Sequence, residues 1–376
     1  MSFPIIDLFS GAGGLGLGAI NAGADLRLSV EMDKLACETM KANPLLHTGE
    51  VICADVCDLK GSQLREMANL LPSDPFIMVG GPPCQPFSKA SYWTDKGEES
   101  KYRRARSLGI KANKPLAITE AKPDERRSLV FEYYRLIKES KPEGFLFENV
   151  PSIMHPRNIQ TFNNFRSQVE ELGYKTLFLK VNGQDYGLAQ KRQRIILLGL
   201  KSEQPLNPII SHTNNPIEIA KGLEKYIMPG EALKAFKGKK YFEPEEIITG
   251  KWAQHLKEIP PGMNYKALTE WYGHPNPTFI AETRFWNFLL KLHPDKPSWT
   301  IAANPGPWTG PFHWDSRRLR TIELAVLQGF PPEYIFKGKR RDIVKQIGNA
   351  LPSHIASACI TPMLSVLNGN KTKIAV

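Results

Sequence analysis

The sequence predicts an α/β fold, a mostly parallel sheet covered by helices on both faces, joined to a second, smaller and more irregular domain. Three observations predict it. Through residues 1–200, short apolar runs alternate with amphipathic helical stretches, the pattern of buried parallel strands and their crossover helices. The first apolar run opens directly into a glycine-rich turn, as in a Rossmann-like strand–turn–helix unit. From about Ser202 to Pro297 periodicity weakens, and proline, lysine and aromatic residues dominate.

The elements follow in order. Strand-like runs lie at Pro4–Phe9, Leu26–Val30, Val51–Cys53, Phe76–Val79, Phe145–Phe147 and Ile195–Leu198. Helical periodicity marks Val130–Lys138 and Gln160–Leu172. Between Ser88 and Asp124 the chain is polar, and Lys101–Lys114 holds six basic residues and no acidic one. A stretch that long between elements has a functional role more often than a structural one. A helix reads at Thr321–Gln328, stopped by Gly329 and by Pro331-Pro332. The segment from Gly348 to about Leu367 reads as a loop and then a helix. The expected division is 1–201 completed by 340–376 for the large domain, with 202–339 as the smaller one.

Composition narrows the function. At roughly 100–200 residues per domain, 376 residues suggest two domains. A hydrophobic share of 41% and a charged share of 23% exclude wholesale disorder. No apolar run reaches the 18 or so residues of a membrane span, and the opening Met-Ser-Phe-Pro lacks the features of a signal peptide. Five cysteines, an odd and sparse number, exclude a disulfide scaffold and point to a reducing, intracellular setting. Cys53 and Cys57 have no second ligand pair, so no metal is expected. Lysine and arginine outnumber aspartate and glutamate 49 to 38, a surplus suited to a polyanionic partner.

The run from Asp7 to Gly18 places Gly11, Gly13 and Gly16 in a G-x-G-x-x-G spacing, with Gly14 beside them. Glu31 follows Gly11 by 20 residues, at the end of the next strand, where a carboxylate can accept bonds from ribose hydroxyls. Asp55, after the third strand-like run, is a candidate contact for an adenine amino group. The turn by itself does not separate a nicotinamide dehydrogenase from a methyltransferase. Gly80-Gly-Pro-Pro-Cys-Gln then follows the fourth strand-like run. It holds Cys84 in a proline-stiffened loop at the carboxyl edge of the sheet, where open α/β sheets bind ligands.

With that loop the chain resembles the cytosine-5 DNA methyltransferase family, over nearly its whole length. Phe9-Ser-Gly-Ala-Gly-Gly14 resembles the family's S-adenosylmethionine turn, and Pro83-Cys84-Gln85 its nucleophile motif. Asp124-Glu-Arg-Arg-Ser-Leu129 is similar to its Asp-x-Arg-x-x-Leu segment, Glu148-Asn149-Val150 to its Glu-Asn-Val, and Gln190-Lys-Arg192-Gln-Arg194 to its Gln-x-Arg-x-Arg. Arg318-Leu-Arg-Thr-Ile-Glu323 with Leu327-Gln-Gly-Phe-Pro331, and then Gln346-Ile-Gly-Asn349-Ala350, complete the family's order. The resemblance implies a Rossmann-like S-adenosylmethionine-dependent methyltransferase domain with a smaller, irregular target-recognition domain. It implies a cofactor site of Phe9, Gly11, Gly13, Gly14, Glu31, Met32, Asp55, Val56, Pro83, Leu129, Asn349 and Ala350. It also implies double-stranded DNA as partner, and a cognate restriction endonuclease acting on the same site. The stretch after the nucleophile loop is longer than the family's compact members need.

The reaction explains these groups. Carbon-5 of cytosine is a poor nucleophile until a thiolate adds to carbon-6, and cysteine is suited to that addition. The resemblance implies Cys84 in this role, and Glu148 as the acid at ring nitrogen-3. It further implies Arg194 on the cytosine carbonyl oxygen and Arg192 as a brace. A base inside a duplex is out of reach, so the nucleotide must flip out. Residues 202–300 would read the sequence, and the basic insert would close on phosphates. Trp252, Trp271, Tyr272, Phe285, Trp286 and Trp299 are expected mostly in the smaller domain's core. The nearest alternative is a tRNA cytosine-5 methyltransferase, whose Cys-Phe-Thr tripeptide this chain lacks.

Overall fold

The computed structural model describes residues 2–83, 87, 101, 102, 105, 106, 110–113, 124–279 and 286–369. Seven strands form one sheet: β1 (Pro4–Leu8), β2 (Asp25–Glu31), β3 (Glu50–Cys53), β4 (Ile77–Gly80), β5 (Gly144–Asn149), β6 (Lys175–Asn182) and β7 (Gln193–Leu200). Their order is β3-β2-β1-β4-β5-β7-β6. The first five are parallel, and β7 runs antiparallel to both β5 and β6. The chain order reverses beside β1 and β4, so the crevice at their carboxyl ends is the natural ligand site. All six strand-like runs become strands. Within this sheet only β6 escaped the sequence reading. It is an edge strand in which Lys175, Lys180 and Asn182 dilute the apolar signal.

Helices cover both faces. On one side lie α1 (Gly14–Asn21) and the C-terminal apolar helix, over a core that includes Ile5, Ile77, Leu146 and Ile196. The helix α2 (Lys34–Lys41) lies on this side too, its Cys37 and Met40 packing on Val51 of β3. On the other lie α3 (Gly61–Met67), α4 (Leu129–Ser140) and α5 (Ile159–Glu171). In α4, Val130, Tyr133, Leu136, Ile137 and Ser140 are buried at helical spacing. The Tyr133 hydroxyl donates to the carbonyls of Met78 and Leu146, bonding the helix to two strands. The helix stops at Lys141, which adopts a left-handed conformation just before Pro142.

Beyond β7 come a two-stranded ribbon, β8 (His212–Thr213) with β9 (Glu224–Lys225), and the short helices α6 (Pro216–Ala220), α7 (Pro229–Ala232) and α8 (Ala253–Glu258). Leu256, Ile259, Tyr265, Leu268, Phe279, Leu289 and Phe312 form a core of their own. A further cluster joins Leu233, Phe236 and Ile301 to Ala12, Leu17 and Ala350. The chain closes with α9 (Thr321–Leu327), α10 (Arg340–Asn349) and α11 (Ser353–Leu367). Gly348, read from sequence as the start of a loop, is the penultimate residue of α10; the loop is shorter and follows it. The charged first turn of α10 hid its periodicity. The aromatic expectation holds only in part. Trp252 and Trp299 pack against cores, whereas Trp271, Tyr272 and Trp286 are at least half exposed. Phe285 lies outside the described residues.

Ion pairs tie the irregular region to the closing helices. Arg320 bonds Glu246, Arg317 grips Glu323 at 2.6 and 2.8 Å, and Arg340 at the start of α10 bonds Glu243. Glu323 and Arg320 are almost fully buried, so each charge depends on its partner.

Candidate active site

The turn after β1 is built around Glu31. Its carboxylate accepts the amides of Gly11 (2.8 Å), Met32 (2.9 Å) and Asp33 (2.8 Å). Three amides fix its orientation, and of its roughly four acceptor sites the one left over can accept a hydroxyl group. Beneath the turn, buried Asp7 accepts the Gly16 amide at 3.1 Å. Burial pushes the Asp7 carboxyl well above its usual range. On the neighbouring strand end, Asp55 accepts the Cys57 amide at 2.9 Å and opens a short 3₁₀ turn.

A cavity of about 330 Å³ lies over these groups. Of the twelve sequence-predicted cofactor residues, Phe9, Gly11, Glu31, Met32, Asp55, Val56, Pro83, Leu129, Asn349 and Ala350 line it. Gly13 and Gly14 are not among its lining residues, and both have a part in the scaffold. Gly13 has φ +82° at the start of α1, and a Cβ on Gly14 would lie 2.3 Å from the Leu351 carbonyl oxygen. Sequence reasoning missed Asp33, Arg126, Lys345 and Gln346, which also line the cavity. Lys345 pairs with Asp33 at 2.9 Å, and the Thr39 hydroxyl donates to Gln346 at 2.6 Å, joining α10 to α2. The signal for Gln346 was in view, since it opens the Gln-Ile-Gly-Asn motif. Lys345 and Asp33 meet only through the fold.

At the other end of the cavity, Glu148 and Arg194 face each other across β5 and β7, with Nε to Oε1 at 2.7 Å. Both side chains are nearly buried. Burial raises the Glu148 carboxyl, and it outweighs the opposing pull of Arg194 and Arg192. Glu148 therefore holds a proton more readily than an ordinary glutamate, which suits an acid. Arg192 is fully buried and does not reach the cavity. Its guanidinium donates to the carbonyls of Gly348 (2.8 Å), Ala350 (3.0 Å) and Ile301 (3.4 Å), bracing the end of α10 that carries Asn349.

Cys84 lies outside the described residues, as do Arg103, Arg104 and Lys114 of the insert. The loop leading to Cys84 is described. Gly81, Pro82 and Pro83 line the cavity, and the Asn149 amide donates to the Pro82 carbonyl at 3.2 Å. Asn149 thus holds the proline loop against the strand end that carries Glu148. That explains the Asn in Glu-Asn-Val, a role sequence reasoning had not assigned. Phe87, just past Cys84, is fully buried under the Arg127 guanidinium.

The reversed β7 beside β5, with a nucleoside-sized cavity at the switch point, is the architecture of Rossmann-like methyltransferases. Within that class the chain belongs to the C-5 cytosine-specific DNA methylase family, whose model matches residues 3–365. Its relatives include the Type II methyltransferase M.SacI of Streptomyces achromogenes, 32% identical over 97% of this chain and 93% of that one. The Type II methyltransferase M1.HphI of Haemophilus parahaemolyticus is 30% identical over 97% and 88%. Two solved structures share the fold. One, described as a DNA modification methyltransferase encoded within an E. coli prophage, has a TM-score of 0.64 at 22% identity, covering 98% of this chain and 100% of that one. The other, the S. pombe Dnmt2 methyltransferase, has a TM-score of 0.56 at 15% identity, covering 97% and 99%. The protein is a DNA cytosine-5 methyltransferase that uses S-adenosylmethionine, and DNA is its substrate.

Proposed function

We propose that the chain methylates carbon-5 of a flipped-out cytosine in a specific duplex DNA sequence, through a covalent adduct between Cys84 and carbon-6. The buried Glu148–Arg194 pair, at the cavity end where the Asn149-anchored proline loop leads into Cys84, carries this reading. S-adenosylmethionine, when bound, supplies an electrophilic methyl group. The cavity fits such a cofactor. Glu31 is pre-oriented for a ribose hydroxyl, Asp55 stands near it for the adenine edge, and Phe9, Val56 and Leu129 give apolar cover. Asn349 and Ala350, at the end of α10, complete the lining.

Each group then has a task. The Cys84 thiolate adds to carbon-6, making carbon-5 nucleophilic. Glu148 donates a hydrogen bond or proton to ring nitrogen-3, where negative charge builds up during the addition. Arg194 holds the cytosine carbonyl oxygen while keeping Glu148 in place. Arg192 acts at one remove, by bracing the end of α10 at Asn349. Loss of the carbon-5 proton and expulsion of the thiolate complete the cycle. Flipping costs roughly a few kcal/mol of stacking and pairing, and phosphate contacts from basic side chains offset it.

In this reading residues 1–201 with 340–376 are the catalytic domain, and 202–339 read the target across a cleft. The separate core around Tyr265 and Phe279 supports the division. The Type II relatives support a restriction–modification role in the cytoplasm, with a cognate endonuclease cutting the same site. A duplex carrying 5-fluorocytosine tests the chemistry. It should trap the wild-type protein covalently and fail to trap Cys84→Ser. Equal trapping of both would overturn the assignment of Cys84.

A further inference from the structure

Two cysteines outside the proposed chemistry meet behind the cofactor turn. Cys53 ends β3 and pairs in register with Glu31 on β2. Strand alternation puts it on the same face as Val51, which packs with Cys37 and Met40 of α2. The Cys37 thiol donates to the Glu31 carbonyl at 3.3 Å, and the Cys53 thiol to the Met32 carbonyl at 3.7 Å. Their acceptors are consecutive carbonyls, so both thiols lie against the same short stretch of the turn. Cys53 is exposed and Cys37 is buried.

We propose that Cys37 and Cys53 form a redox modification site, closing a reversible disulfide that loosens the Glu31–Asp33 turn and weakens cofactor binding. The proposal rests on the reading of that turn as the cofactor site. The oxidant is a small peroxide, which reaches the exposed thiol first. Its O–O bond breaks; one oxygen stays on Cys53 as a sulfenic acid, and the other leaves as water. The Cys37 sulfur then attacks the Cys53 sulfur, the S–O bond breaks, and the departing hydroxide takes the Cys37 proton as a second water. Two thiols lose two electrons, and the peroxide gains them. A dithiol reductant reverses the bond.

The consequence for the cofactor follows from geometry. A disulfide draws the two sulfurs to about 2.05 Å and leaves neither with a proton to donate. Both thiol hydrogen bonds to the turn then break together, at the two peptide groups whose N–H ends, on Met32 and Asp33, hold the Glu31 carboxylate. Burial, and then the neighbouring thiol, push Cys37 up to about 12, so closure should quicken as pH rises above neutrality.

The test uses the full-length chain with Cys84→Ser, so that oxidation of the proposed nucleophile does not enter, and it reads binding. Treatment with hydrogen peroxide should give a mass decrease of about 2 Da, the two hydrogens removed when a disulfide closes, with peptide mapping joining Cys37 to Cys53. S-adenosylmethionine affinity by calorimetry should fall at least tenfold and recover on adding dithiothreitol. Adding Cys53→Ser should abolish both effects while leaving reduced affinity within about twofold. No Cys37–Cys53 link, a link through Cys57 instead, or a link with unchanged affinity would each overturn the proposal. Glu31→Ala in the same background separates the two levels. If it too leaves affinity unchanged, the cofactor reading fails; if it alone weakens binding, only the disulfide inference fails.

Discussion

Glu148 shows how one residue is prepared for its task. Two arginines act to keep it ionised, and burial overrides them, so its carboxyl is raised. Acting as an acid, it should lose activity as pH rises through its elevated pKa, at a higher pH than an ordinary glutamate would. Glu148→Gln should lower turnover by about 10²–10⁴-fold, since an amide can hydrogen-bond but cannot protonate the ring. Single-turnover kinetics with saturating cofactor would measure this, and a reduction below tenfold would remove Glu148 from the chemistry. Asp7 offers a second pH test, on stability. Its folded pKa stands well above its ordinary 3.8 because of burial. A raised folded pKa gives stability that is full below the unfolded value and is lost as pH rises towards the folded one. The stability of Asp7→Asn relative to wild type should therefore improve as pH rises above about 4, measured by urea denaturation. A difference that shrinks with pH would mean that Asp7 is buried as a carboxylate.

Among the elements, α10 is the most heavily used. Its first turn bonds Glu243, Lys345 and Gln346 reach α2, and its last residue lines the cofactor cavity. Arg192 holds the other side of that last turn by donating to three carbonyls. Arg192→Ala would leave buried acceptors without donors and open a cavity, at a cost of roughly 2–5 kcal/mol by denaturant unfolding. Cofactor affinity should fall as well, because Asn349 and Ala350 lose their brace. Lysine should not rescue the defect, since one ammonium cannot reproduce the planar fork. Stability within about 0.5 kcal/mol of wild type would show that the brace is dispensable.

For the molecule entire, the charge of +11 sets the interaction with DNA. The basic insert follows the proposed nucleophile in sequence, and the described Arg106 sits over the Tyr102 ring at 5.9 Å. Replacing Arg103, Arg104 and Arg106 with alanine should weaken DNA binding for every sequence and leave the recognition site unchanged. The slope of log affinity against log salt should flatten by about 0.9 for each phosphate that no longer meets a basic side chain. An unchanged slope would make the insert a bystander, and an altered methylation pattern would make it a reader of bases.

Features that are local, or simply ordered along the chain, could be read before any fold was known. Five short parallel strands, the glycine turn, Glu31 at its 20-residue spacing, and the succession of motifs through Gln346–Ala350 were all legible. Turn chemistry and strand alternation depend on near neighbours, so a sequence carries them directly. Long-range packing decided the rest. Only folding showed that Gly13 and Gly14 serve the scaffold, and that Arg192 faces three carbonyls rather than the cavity. Only folding brought Lys345 to Asp33, 312 residues apart, and set the Cys37 and Cys53 thiols behind one turn. The same holds for Glu148: the sequence named the carboxylate, but its raised pKa comes from burial beside Arg194, and burial is a property that only the assembled structure possesses.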